Sequence, residues 1–203
     1  MKKIILLLAL AVAVGCTSAP RQPAAKRQPK APDLLTGRVA FQQLLIAAHG
    51  WAPDVQPFRL QSQIMTDADG RDGKADLWIA NFASESRSAS KPFIWSGTSL
   101  PDAPSRGISP GTQDGYNPAN ASTQVFNLAY VKVDSDAAFA VAQKHGGEKL
   151  LAEDPKTPVF YVLDWYRPTR DVIWHVIYGS SQDDAKLHVV VNAASGDFMR
   201  VQK

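Results

Sequence analysis

Two stretches of the chain set apolar residues at helical spacing, and each is followed by runs of extended character. Residues 36–49 put Phe41, Leu44, Leu45 and Ala48 on one face, with Thr36 as N-cap and Gly50 as stop. Residues 136–145 gather Ala138, Val141 and Ala142 with Phe139 beside them; Asp134 or Ser135 caps this helix, and Gly146-Gly147 ends it. Strands are expected at about 58–65, 75–83 and 91–97 after the first helix, and at about 158–165, 171–179, 186–192 and 197–202 after the second. The clearest alternation runs Val172, Trp174, Val176, Tyr178, then, past a turn at residues 182–185, Leu187, Val189, Val191. Successive strand side chains point to opposite faces, so these seven predict one buried face against a helix. The other parity, His175, Gly179, His188 and Asn192 with Ile173 and Ile177, is expected to be wetter.

The pattern recurs at a shift of 96 residues: His49-Gly50 maps to His145-Gly146, Trp78 to Trp174, Phe82 to Tyr178, and Phe93 and Trp95 to Val189 and Val191. Identity at this shift is barely above chance; the agreement lies in residue class and landmark position. It predicts an α+β fold in which each of two tandem units, 33–98 and 123–203, lays a helix on an antiparallel β-meander. Residues 99–122, rich in Pro and Gly, read as a mobile loop or linker. Residues 124–133 alternate and read as a strand entering the second helix.

The N-terminus carries a different kind of signal. Lys2 and Lys3 precede an apolar run of about eleven residues, which is signal-peptide length and too short to span a bilayer. The run closes on Ala13-Val14-Gly15-Cys16, which contains the chain's single cysteine. This segment resembles the lipobox of bacterial lipoproteins, with Ala13 where that family usually has Leu. The resemblance implies cleavage between Gly15 and Cys16, removal of residues 1–15, and acylation of Cys16 (palmitate among the chains), hence a membrane partner reached through lipid. Thr17, standing where Asp would signal inner-membrane retention, implies the outer membrane, facing the periplasm. Residues 16–32 then form the lipidated cysteine and a basic, Pro-rich tether with no acid, of which residues 18–32 span up to roughly 45 Å as polyproline II.

Charge follows the same division. From Asp33 onward sixteen Lys and Arg face nineteen Asp and Glu, a net of −3, so the basic pI belongs to the ends. No basic patch on the domain supports nucleic-acid binding. With one cysteine there is no disulfide, and packing must hold the core.

The C-terminal pattern resembles a PepSY-type domain, a small cystatin-like α+β unit of exported bacterial proteins. The residues concerned are Lys144-His145-Gly146, the strand around Trp174, and the run from Val190 through Asn192, Ser195-Gly196-Asp197 to Met199. That resemblance implies binding or inhibition of proteases, or sensing in the envelope.

Candidate chemistry is sparse. Asp67, Asp69, Asp72 and Asp76 with Gly70 and Gly73 form the most metal-like cluster, with calcium as the cation such oxygens suit. The calcium-loop pattern, however, meets Arg71 at its third ligand position, so the segment reads first as a solvated Asp-Gly-Arg-Asp-Gly turn. His49 and His145 sit in last helical turns, where a cation complements the dipole. His175 and His188 are expected diagonally on one sheet face, without a third ligand for zinc. No nucleophile elbow or phosphate-cradling loop is present, and no cofactor is expected. Trp165-Tyr166-Arg167 at a hairpin end is the candidate recognition patch. The sequence therefore reads as a non-catalytic protein- or peptide-binding envelope module; a hydrolase whose site forms only on folding, or a structural component, are the rivals.

Overall fold

The computed structural model describes residues 30–65 and 68–202; Gly15, Cys16 and the tether up to residue 29 lie outside them, as does Asp67. In chain order the elements are β1 (Leu35–Thr36), α1 (Gly37–His49), β2 (Gln56–Gln63), β3 (Lys74–Ala75), β4 (Leu77–Ser84), β5 (Ala89–Ser96), β6 (Gly107–Pro110), β7 (Asp114–Gly115), α2 (Ser135–Ala142), α3 (Glu148–Glu153), β8 (Val159–Tyr166), β9 (Asp171–Gly179), β10 (Ala185–Asn192) and β11 (Phe198–Gln202). The fold is α+β, as the alternation implies. An antiparallel sheet of nine strands among the described residues runs β11-β10-β9-β8-β2-β4-β5-β6, with β7 also on β5.

The two helix-and-meander halves are joined rather than strung in tandem. β2 pairs with β8, setting Leu60 against Leu163 and Gln61 against Val162, so one sheet crosses both halves. One core cluster likewise takes Phe41, Leu44, Trp78, Phe82 and Phe93 from the first half and Tyr161, Trp174, Tyr178 and Val189 from the second. The hairpins share a register: Trp78 faces Trp95 and Trp174 faces Val191, pairs related by the same 96-residue shift.

Two tryptophans organise the centre. Trp78 and Trp174 are fully buried, and their indole N–H groups donate to the carbonyls of Leu35 and Val133, each just ahead of a helix, at 2.9 Å. Both rings crowd Gly37, where a Cβ would stand 2.5 Å from Trp174 and 3.2 Å from Trp78. Glycine at a helix start is otherwise a weak choice; here the lack of a side chain lets the indoles close over it. The helix entries also cap one another. Asp134 accepts Thr36 Oγ1 at 2.7 Å and the Arg38 amide at 2.8 Å, and Ser135 Oγ accepts the Gly37 amide at 2.7 Å. Thr36 thus holds the cap position without capping by its own side chain.

Several expectations are corrected. Gly146-Gly147 does not end the second helical segment: His145 and Gly146 leave helical geometry (Gly146 φ 112°), and the chain resumes as α3. His145 therefore sits in a kink rather than a terminal turn, and its ring stacks on Phe198 at 3.7 Å. Residues 124–133 form no strand; Asn127 Oδ1 accepts the Ala129 amide at 2.8 Å and closes a short 3-10 turn instead. Residues 99–122 are not a free linker, because β6 and β7 add to the edge of β5, with Pro110 where an edge tolerates proline. Asp54 accepts Ser84 Oγ at 2.6 Å and the Ser86 amide at 2.9 Å, pinning the β4–β5 turn.

Candidate functional site

α1 and α2 pack on the tryptophan face of the sheet, and the other face carries the polar chemistry. Cross-strand pairing lines up Gln61, Val162, His175, Val190 and Arg200 from β2 to β11. The neighbouring row sets Arg59, Asp164, Ile173 and Asn192 side by side. The expectation that this face is the wetter one needs correction: Ile173 and Ile177 are 0% exposed, His175 9% and His188 8%. Central strands of a wide sheet are shielded by their neighbours' side chains even where no helix lies above them.

Within that shielding runs a continuous polar chain. Asp164 Oδ2 accepts Arg59 Nη1 at 3.4 Å, and Asp164 Oδ1 meets His175 Nε2 at 3.1 Å. His175 Nδ1 in turn meets His188 Nε2 at 2.7 Å. The two histidines sit diagonally, as their parity implies, since His175 faces Val190 while His188 faces Ile177. Arg59 is steadied by Gln61 Oε1, which accepts its Nε at 3.1 Å, and the Arg200 guanidinium lies 4.3 Å above the Tyr166 ring. Sequence reasoning missed Asp164 and Arg59. Aspartate is disfavoured inside strands, so Asp164 amid Val162, Leu163 and Trp165 was the available signal.

Burial first, then the positive charges of His175 and Arg200, push His188 down to about 4 from an ordinary 6.5. The unfolded ring takes its proton first, so the stability this group contributes is complete above about 6.5 and is lost as pH falls through about 4. We expect chemical denaturation at pH 4.5 to show roughly 2 kcal/mol less stability than at pH 7, with a flatter profile in His188→Gln. An unchanged profile in that variant would refute the assignment. Asp54 and Asp154, lowered to about 2 chiefly by Ser84 and Lys186 respectively, lose their contribution only below 3.8 and do not blur this window.

Two hollows flank the polar chain. One of about 650 Å³ is lined by Arg59, Gln61, Gln63, Phe160, Val162 and the β9–β10 turn. The other, about 480 Å³, is lined by His188, Lys186, Val201 and Gln202, and the two share Gln182 and Asp183.

The remaining sequence candidates are dispersed. Trp165 packs against the core, Tyr166 lies on the opposite face under Arg200, and Arg167 is exposed in the turn, so strand alternation keeps the three side chains from forming one patch. Of the aspartates, Asp69 pairs with Arg71 at 3.1 Å, Asp72 adopts φ 57°, and Asp76 is fully buried with Oδ1 accepting the Met65 amide at 3.1 Å. Among the described residues no group of three or more His, Cys, Asp or Glu is placed to hold a metal. His49 Nδ1 lies 2.9 Å from the Leu45 carbonyl in the last turn of α1.

No protein-family model and no curated protein sequence matches this chain. Among solved structures it is similar to the crystal structure of a "putative lipoprotein" from Clostridium difficile 630, with a TM-score of 0.53 and 10% identity over 87% of this chain and 95% of that one. The likeness is one of fold, and it spans both halves. None of these comparisons carries the PepSY-type or cystatin-like resemblance of the C-terminal segment.

Proposed function

We propose that this chain is a lipid-anchored protein of the bacterial envelope that binds an extended peptide segment of a partner protein, without catalysis, on its helix-free sheet face. The observation that carries the reading is the 650 Å³ hollow beside Arg59 and Asp164, a volume within the range of small-ligand sites. Gln61, Gln63 and Gln182 each bring a carbonyl acceptor and an amide donor, the inventory a peptide backbone needs. Phe160, Val162 and Ile64 add apolar surface for side chains, and Arg59 and Asp183 offer charges of both signs for orientation.

The address rests on Ala13-Val14-Gly15-Cys16, supported by the recurrence of the architecture in the Clostridium difficile protein described as a "putative lipoprotein". Thr17 favours the outer membrane, facing the periplasm.

A random extended-peptide library selected against the full chain in detergent should yield binders. Gln61→Ala/Gln63→Ala should weaken them about tenfold or more, roughly 1.4 kcal/mol, and Gln42→Ala/Gln43→Ala on exposed positions of α1 should not. A library without binders, or binders indifferent to Gln61 and Gln63, would overturn the reading.

A further inference from the structure

The polar chain has a direction, set by what each atom can donate. An ionised Asp164 offers only acceptors, so His175 Nε2 carries a proton toward it. In a neutral His175 the Nδ1 is then a lone pair, and it accepts the Nε2–H of His188. That fixes His188 in the Nε2–H form and leaves its Nδ1 as a lone pair. Among the described residues this Nδ1 has no hydrogen-bond partner and is not among the fully buried, unpartnered polar atoms, and His188 lines the hollow beyond the β9–β10 turn.

One added proton has two places to rest that keep both hydrogen bonds. On His188 it would face Arg200 in a buried setting, with no carboxylate among the described residues in contact. On His175 it lies 3.1 Å from Asp164. The charged groups facing the pair are Arg59 through Asp164, Asp164 itself, Arg200 from β11, and Lys186 and Asp183 at the hollow. Lys186 is taken up by Asp154 at 2.6 Å and Arg59 by Asp164, which leaves Asp164 as the anion in direct contact with a ring.

We propose that Asp164, His175 and His188 form a proton relay: a proton entering from the hollow at His188 Nδ1 displaces the Nε2 proton onto His175 Nδ1, where it rests beside Asp164. The balance is one proton in at His188, one proton handed on, and no net charge left on His188. Its consequence at the hollow is a reversal of polarity. Before uptake His188 Nδ1 accepts a hydrogen bond; afterwards the same atom, on a still neutral ring, donates one. This rests on the peptide-binding reading for its use, since a backbone N–H suits the first state and a backbone carbonyl the second. The relay itself stands without any ligand. Asp164 acts here as a positioning residue.

Nitrogen-15 NMR of the imidazole rings in the ligand-free full chain, titrated in detergent micelles, reads it directly. At alkaline pH His188 should show a pyrrole-like Nε2 and a pyridine-like Nδ1. Through the first proton uptake these two should exchange character while both nitrogens of His175 become imidazolium-like. Asp164→Asn, which keeps an acceptor but loses the charge, should lower that midpoint by about one pH unit or more, and Asp164→Glu should restore part of it. An imidazolium at His188 in the first step, no exchange of nitrogen character, or an unmoved midpoint in Asp164→Asn would overturn the relay. None of these results depends on whether any peptide binds, so a failed selection and a failed relay are separate outcomes.

Discussion

Trp174→Ala is expected to cost about 3–5 kcal/mol of folding stability, the range for emptying a large aromatic site in a core. Domains of this size commonly keep about 5–15 kcal/mol in all, so the loss is a large fraction of the total. Trp174 is 0% exposed, shares its cluster with residues of both halves, and closes over Gly37 at the entry of α1. Truncation removes that packing and also strips the Val133 carbonyl of its indole donor. Trp174→Phe separates the two effects, since it keeps most of the ring while losing the N–H, and should cost the smaller part. Trp78→Ala should behave alike, because Trp78 is equally buried and donates to Leu35. Urea denaturation provides the measure: the midpoint should fall at unchanged slope. A loss below about 1.5 kcal/mol would mean that the two halves are held by something other than this shared centre.

Gly73→Ala should cost nearly as much, about 2–5 kcal/mol. Gly73 has φ +71°, and a Cβ there would lie 2.1 Å from the Asp136 amide nitrogen and 2.4 Å from the Ser135 carbonyl carbon. A left-handed residue with a side chain costs roughly 1–2 kcal/mol, and forced overpacking adds about 1–3. The obstacle is backbone, so it cannot rotate aside. Gly73 also ties the halves, accepting Ser135 Oγ at 2.5 Å and donating to the Tyr161 hydroxyl at 3.2 Å. Gly107→Ala is the matched control: φ is +103° and nothing lies within 4 Å of the added carbon. Equal losses at the two glycines, read by thermal or urea unfolding, would refute the close-approach account.

The Asp-Gly-Arg-Asp-Gly segment shows where the sequence was legible and where it was not. Its glycines announce a turn. Their deeper reason is contact with distant backbone, since Gly70 abuts the Val159 carbonyl and Gly73 the start of α2. Such contacts leave no local trace. The strands of the second half were readable because Val, Ile and aromatic residues alternate there at period two, and β9 follows the expected 171–179. Residues 124–133 share that alternation superficially, yet Asn127 offers its own backbone a competing turn. The site was half legible. The parity of His175 and His188 placed them diagonally on one face. Asp164 meets His175 across the local β8–β9 hairpin, 11 residues away. Arg59, however, joins them only through the β2–β8 pairing, 105 residues from Asp164 in sequence, and register between distant strands is not written in either segment.

The proposed working surface of this envelope-anchored protein is the helix-free face. Its most direct test places a photo-crosslinking amino acid at Gln61 in the groove, or at exposed Gln43 on α1, in otherwise intact chains expressed in cells. Position 61 should capture a discrete protein adduct that fractionates with membranes, position 43 should not, and Cys16→Ser should release the adduct to the soluble fraction. Capture at Gln43 but not Gln61, or equal capture at both, would contradict the account.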